Sequence, residues 1–173
     1  MGCKMRTTVI GLLLVVVQVL STTIFQHLRI GNILPNFMIM IIVSFALLRG
    51  STEGTLVGIA GGLLYDLSFG LLVGPTAIIY GGIGYIIGKL NRNFYRENFI
   101  IPFLCTLASN LVYSIFFTFG FMLRGKINFF FFFKSLIMPE LIYTITLSLV
   151  VYQISYLINE KIEWHERKTR NIF

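Results

Sequence analysis

Charge is what this chain has least of. Only 12% of its 173 residues are Asp, Glu, Lys or Arg, where a soluble domain carries about 25%. With 56% hydrophobic residues and a mean hydropathy of +0.84, so little charge cannot coat a soluble globule. The composition is that of a membrane protein. Asp66 is the one aspartate, which excludes an aspartyl dyad, because two carboxyl groups must share a proton there. The two histidines, His27 and His165, are far apart in sequence, and no HExxH, GxSxG or Walker loop is present. No catalytic residue, cofactor or metal ligand is therefore expected. Cys3 and Cys105 form neither a disulfide framework nor a CxxC pair. Basic residues outnumber acidic ones by 14 to 7, but they stand singly or in pairs between apolar runs. Nucleic acid is not an expected partner; the lipid bilayer is.

What the chain has in quantity is uncharged sequence. A helix rises about 1.5 Å per residue, and about 20 residues cross the hydrocarbon core. The uncharged runs predict an all-α, polytopic six-helix bundle with spans at about 7–26, 31–48, 54–70, 73–88, 98–123 and 135–158. They form one domain, 1–173, with a short, charged, solvated tail at 159–173. The stretch Gly54–Gly88 holds one charge, Asp66; as a single helix it would run about 52 Å, too long for a bilayer. It must turn back, and Ser68–Pro75, with Gly70, Gly74 and Pro75, is the natural place. Lys4 and Arg6 ahead of Val9–Leu20 look like a signal-peptide start, but Ser21-Thr22-Thr23 is a poor cleavage site. The first run is read as an uncleaved span. Five consecutive phenylalanines, Phe129–Phe133, are expected at the interface or at an early start of the sixth helix.

Orientation follows from Lys and Arg. With the N-terminus inside, ten basic residues fall on the cytoplasmic side: Lys4, Arg6, Arg49, Lys89, Arg92, Arg96, Lys161, Arg167, Lys168 and Arg170. Arg29, Arg124, Lys126 and Lys134 fall outside. Both termini are therefore expected in the cytoplasm.

Ionisable groups inside spans are expensive, at least about 2.5–3.5 kcal/mol each at mid-bilayer. Asp66 and Glu140 are the two candidates, with Tyr65, the buried polar residue Asn110 or a freed backbone amide as the expected hydrogen-bond partners. The bland reading of Asp66 is a cap for amides freed at the adjacent turn; that of Glu140 is an interfacial position. Glycine placement is the stronger signal. Eleven of 16 glycines lie between Gly50 and Gly88. Gly54, Gly58 and Gly62 recur every four residues beside Gly61, and Ala77, Gly81, Gly84 and Gly88 line up on the fourth span. Such stripes let backbones approach closely in lipid. They serve either packing within the bundle or docking of a partner helix.

These residues together resemble the MreD family of the bacterial rod-shape system. The resemblance rests on Pro35-Asn36, on Phe45-Ala46-Leu47-Leu48-Arg49-Gly50, and on Gly58…Gly61-Gly62-Leu63-Leu64-Tyr65-Asp66-Leu67, followed by Gly74, Gly81 and Gly88. Pro139, Tyr143 and Tyr152 also fit, whereas Glu140 after Pro139 departs from the pattern. The resemblance implies a multi-pass, non-enzymatic scaffold in the bacterial cytoplasmic membrane that supports cell shape and peptidoglycan synthesis. Its implied partners are MreC directly, and MreB, RodA and a class B penicillin-binding protein in the wider elongasome. It also implies a fold similar to the S components of energy-coupling-factor transporters. That supplies the alternative function, a substrate-binding S component of a vitamin-uptake transporter. Such subunits dock through Ala-xxx-Ala repeats on the first helix, and Thr7–Gln26 has no alanine.

Overall fold

A computed structural model describes residues 2–23, 34–69, 73–90, 100–122 and 137–170. Among them are six helices and no strand: α1 (Gly2–Thr22), α2 (Phe37–Arg49), α3 (Ser51–Phe69), α4 (Pro75–Leu90), α5 (Ile100–Met122) and α6 (Met138–Arg170). Arg29, Arg92, Arg96, Arg124, Lys126 and Lys134 of the charge count lie outside the described residues, as do His27, Gly70 and Phe129–Phe133.

The hub is α2, which touches each of the other five helices. Every residue from Met38 to Leu48 is buried, including Ser44, whose hydroxyl donates to the Met40 carbonyl at 2.7 Å. The uncharged run begins near residue 31, but the helix starts at Phe37. Pro35 favours an extended residue before it, and the Asn36 side chain then caps the helix by accepting from the Ile39 amide at 3.2 Å. With 13 residues, α2 is about 20 Å long, short of the roughly 30 Å hydrocarbon core. Its place inside the bundle makes this workable. Pro35 and Asn36 are buried, and irregular backbone at membrane depth is tolerated where protein surrounds it.

Gly50 ends α2 with a φ of +92°, a conformation that L side chains rarely adopt, so one residue joins α2 to α3. The closest helix pair is α3 and α4, folded back on each other as the length of Gly54–Gly88 requires. At the other end of the chain the charged tail is helical, with Glu160, Lys161 and Trp164 exposed. α6 runs unbroken to Arg170, and Asn159, the first tail residue, is buried. Lys, Glu and Arg are strong helix formers, so the charged segment extends the apolar helix rather than ending it.

Beside this apolar core, the outside is unlike that of a soluble protein. Leu56, Leu67, Ile78, Ile100 and Ile142 are all at least 66% exposed, while Gln18, Asp66, Thr106, Ser109, Asn110, Thr144, Ser148 and Asn159 are buried. In water that arrangement would forfeit the hydrophobic stabilisation on which folding depends. In lipid it is the favourable one, because apolar side chains meet acyl chains and small or polar residues hold the helices together. Among the described residues two segments, Ile100–Gly120 and Met138–Ile162, are long and apolar enough to cross a membrane, and Thr8–Thr22 and Phe37–Arg49 are shorter apolar helices.

Candidate functional site: a glycine-packed hairpin and its polar ties

The α3–α4 hairpin is built on missing side chains. A Cβ placed on Gly54 would lie 2.6 Å from the Gly84 carbonyl oxygen and 2.7 Å from the Ala46 Cβ. One on Gly58 would overlap the backbone of Tyr80, and one on Gly62 the backbone of Ala77. From the other side, Gly84 meets the Gly54 carbonyl and Gly88 meets Ser51. Contacts that pair Gly54 with Gly84, Gly62 with Ala77 and Ser51 with Gly88 describe antiparallel helices in direct backbone contact. The two stripes face each other within the chain. Gly61 and Gly81 differ: a Cβ on Gly61 would lie 2.9 Å from the Met38 sulfur of α2, and one on Gly81 would lie 2.8 Å from Cγ1 of the Ile59 side chain.

Asp66 closes the turn of this hairpin. It is buried, and its Oδ2 accepts from the Gly74 amide at 2.8 Å and the Thr76 amide at 3.1 Å. Those donors belong to the first turn of α4, whose amides have no intrahelical acceptor. Pro75 stands at the first helical position, where its missing N–H is no loss. A carboxyl at this place also faces the positive end of the helix dipole. Gly74 has a φ of +122°, again a conformation suited to glycine.

Asn36 ties three helices. Besides capping α2, its backbone N–H donates to Thr144 Oγ1 on α6 at 3.2 Å. Its side chain is bonded to the Tyr80 hydroxyl of α4, with Nδ2 and Oδ1 at 3.0 and 3.2 Å from Oη. Tyr80 is fully buried and leads into a ring cluster with Tyr65 and Tyr113, the Tyr80–Tyr113 centroids being 5.2 Å apart. At the opposite end of α2, Arg49 Nε donates to Asn159 Oδ1 on α6, and Nη1 lies 3.4 Å from Glu53 Oε2. The three helices α2, α3 and α6 are thereby joined through a buried guanidinium.

Asn110 is not part of any of these ties. It is wholly buried on α5, and neither its Oδ1 nor its Nδ2 has a hydrogen-bond partner, so it does not partner Asp66 or Glu140. Turn amides reach Asp66 first because they are local to it. Glu140, in the first turn of α6, is half-buried on the wall of a cavity of about 210 Å³. Among the described residues, no cluster of His, Cys, Asp and Glu could hold a metal ion.

Sequence reading singled out Asp66 and the glycines but missed Tyr80, Thr144, the Asn36 tie and the Arg49–Asn159 pair. A polar residue after proline and before an apolar run is a capping signature, so Asn36 carried a legible signal. Tyr80, Thr144 and Asn159 carried none, since their partners are 44, 108 and 110 residues away in sequence.

Comparison with known protein families matches residues 4–162 to rod shape-determining protein MreD. The chain belongs to the MreD family. Neither the curated proteins nor the solved structures contain a match. The MreD match spans the glycine seam, the Asp66 turn, the Asn36 tie and the Arg49–Asn159 pair, and ends inside α6. MreD is a membrane protein of rod-shape determination, so the apolar outer surface of this chain has its natural solvent.

Proposed function

We propose that this MreD-family chain is a non-enzymatic scaffold of the bacterial cell-wall elongation complex. It crosses the cytoplasmic membrane six times with both termini inside. It binds MreC directly and supports peptidoglycan synthesis in an assembly with MreB, RodA and a class B penicillin-binding protein. The observation that carries this reading is the MreD match across residues 4–162. The hydrogen bonding is consistent with it: Asp66, Asn36 and Arg49 hold helices to one another rather than facing an assembled reaction site. Apolar faces on α1, α4 and α6 leave ample surface for lipid and for a partner's membrane helix.

Co-purification of the tagged chain in mild detergent tests the reading. Recovery of a single-span coiled-coil protein is the expected result. Recovery of a pair of ATPases instead assigns the chain to vitamin uptake. Alkaline phosphatase and fluorescent-protein fusions at each loop test the six-span topology, and a periplasmic C-terminus overturns it.

A further inference from the structure

The exposed apolar stripes of α4 and α6 end in the same way and at the same height. On α6 the exposed residues Ile142, Val150, Ile154 and Leu157 lead to Lys161 and Trp164, which are exposed as well. Lys161 and Trp164 stand four and seven positions past Leu157, which keeps them on its side of the helix. On α4 the exposed Ile78, Tyr85 and Ile86 lead to Lys89. Its Nζ lies 4.5 Å from the centroid of the Tyr85 ring. Each stripe thus finishes on a lysine with an aromatic ring beside it in the helix.

The heights are fixed by the packing. Lys89 follows Gly88, which backs onto Ser51. Ser51 is two residues past Arg49, and Arg49 bonds Asn159, two residues before Lys161. Both lysines therefore leave the bundle at the level of the α2–α3 link. Counted back along α6 from Lys161, the roughly 30 Å of a hydrocarbon core takes about 20 residues. That reaches Leu141, beside Glu140 in the first turn of the helix. A core laid between these levels puts Lys161 and Glu140 at its two boundaries and the apolar stripe inside. Trp164, three residues on, then stands about 4.5 Å beyond the boundary, in the headgroup layer that tryptophan favours.

A lysine at that level lays its stem along acyl chains and its ammonium among phosphates. The ammonium sorts lipids by charge, because a zwitterionic headgroup brings its own cation and a net anionic one does not. Glu160 is exposed too, but it stands about 100° round the helix from Lys161. The next position of the Leu157 register, four past Trp164, is Lys168. The register therefore carries cations on past the boundary.

We propose that the face of α6 formed by Leu157, Lys161 and Trp164 seats an anionic phospholipid. The lipid phosphate pairs with the Lys161 ammonium, the headgroup lies beside the Trp164 ring, and an acyl chain follows Leu157 and Ile154. This seat goes beyond the scaffold role and needs only that the MreD-family chain lies in a bilayer.

Trp164 is the one tryptophan of the chain, so its fluorescence reports on this site in the unaltered protein. The test places the full chain in vesicles of equal phosphatidylcholine and phosphatidylglycerol, with bromine on the upper acyl chains of one lipid or the other. Quenching should show about a fivefold preference for phosphatidylglycerol, the size that one lysine near an anionic surface supplies. Raised salt should weaken it. Lys161→Gln should cut the preference to about twofold or less, while Gly11→Ala, at a position with open space, should leave it unchanged. Equal quenching by both lipids in the parent overturns the seat, as does a preference that survives Lys161→Gln intact. Should that variant fail to fold, the salt series on the parent decides, and a preference indifferent to salt overturns the pairing. Nitroxide-labelled phosphatidylcholine then places the ring. Stronger quenching from a headgroup label than from a mid-chain label is expected, and the reverse order overturns the level. A ring quenched by neither label stands in water or against a protein, which overturns the lipid equally. None of these failures touches the co-purification result, so the scaffold reading stands or falls separately.

Discussion

Asp66 and Thr76 stand ten residues apart, on opposite arms of a helical hairpin, and the carboxyl of one accepts the backbone amide of the other at 3.1 Å. The Gly74 amide shares the same oxygen. One side chain at the end of α3 thus caps the start of α4. That capping requires an acceptor oxygen, and the shape of the side chain matters more than its charge.

Asp66→Asn should therefore be mild, because an amide oxygen can accept from both N–H groups and only the attraction to the helix dipole is lost, about 0.3–1 kcal/mol. Asp66→Leu leaves two buried amides unpaired, at roughly 1–3 kcal/mol each. Thermal unfolding in detergent and rescue of rod shape at equal expression should rank parent, Asn and Leu in that order. A stable but inactive Asn variant would point to a role for the proton itself and sink the capping account.

The glycines separate into three classes. Gly58→Ala, Gly84→Ala and Gly88→Ala drive a methyl into facing backbone, and overpacking of this kind costs about 1–3 kcal/mol or more. Gly61→Ala and Gly81→Ala press on the Met38 and Ile59 side chains rather than on facing backbone, so their loss should be smaller. Gly82→Ala meets nothing and should be neutral or gain up to about 1 kcal/mol in helix propensity. Unfolding temperatures that place Gly82 with Gly58 would mean that the hairpin register is wrong.

The Asn36–Tyr80 bond is suited to a double-mutant cycle. Asn36→Ala removes a cap worth about 1 kcal/mol and takes one partner from the buried Tyr80 hydroxyl; Tyr80→Phe removes that hydroxyl alone. Residues in direct hydrogen-bond contact couple by about 0.5–3 kcal/mol. Additive losses in the double variant would show that the two side chains do not meet.

Asn159 ties the start of the charged tail to Arg49. Asn159→Ala leaves the Arg49 guanidinium, already without a partner at Nη2, short of a second bond. A loss of about 1–3 kcal/mol is expected for a buried donor left unpaired. A chain ending after Ile162 keeps Asn159 and should unfold near the parent temperature. If truncation there is as damaging as Asn159→Ala, the rest of the tail holds the fold and this contact does not.

Composition and periodicity alone established much. Twelve per cent charge pointed to a membrane, and the uncharged runs marked the six helices found among the described residues. The length of Gly54–Gly88 demanded a hairpin, and Ser68–Pro75 was the natural place for its turn. These follow from quantities local in sequence: hydrophobicity per span, rise per residue, and glycine at four-residue spacing. Whether the stripes faced a partner or each other was open in the sequence. The tertiary structure decided it by bringing Gly54 against Gly84, because a stripe records only that something comes close. The same holds for α2, whose shortness was hidden by an uncharged lead-in, and for Asn159, which looked like the first residue of a solvated tail. Asn36 with Thr144, and Arg49 with Asn159, pair across more than a hundred residues. No local propensity encodes such pairs; they exist because packing α2 against α6 leaves polar groups that must find one another away from water.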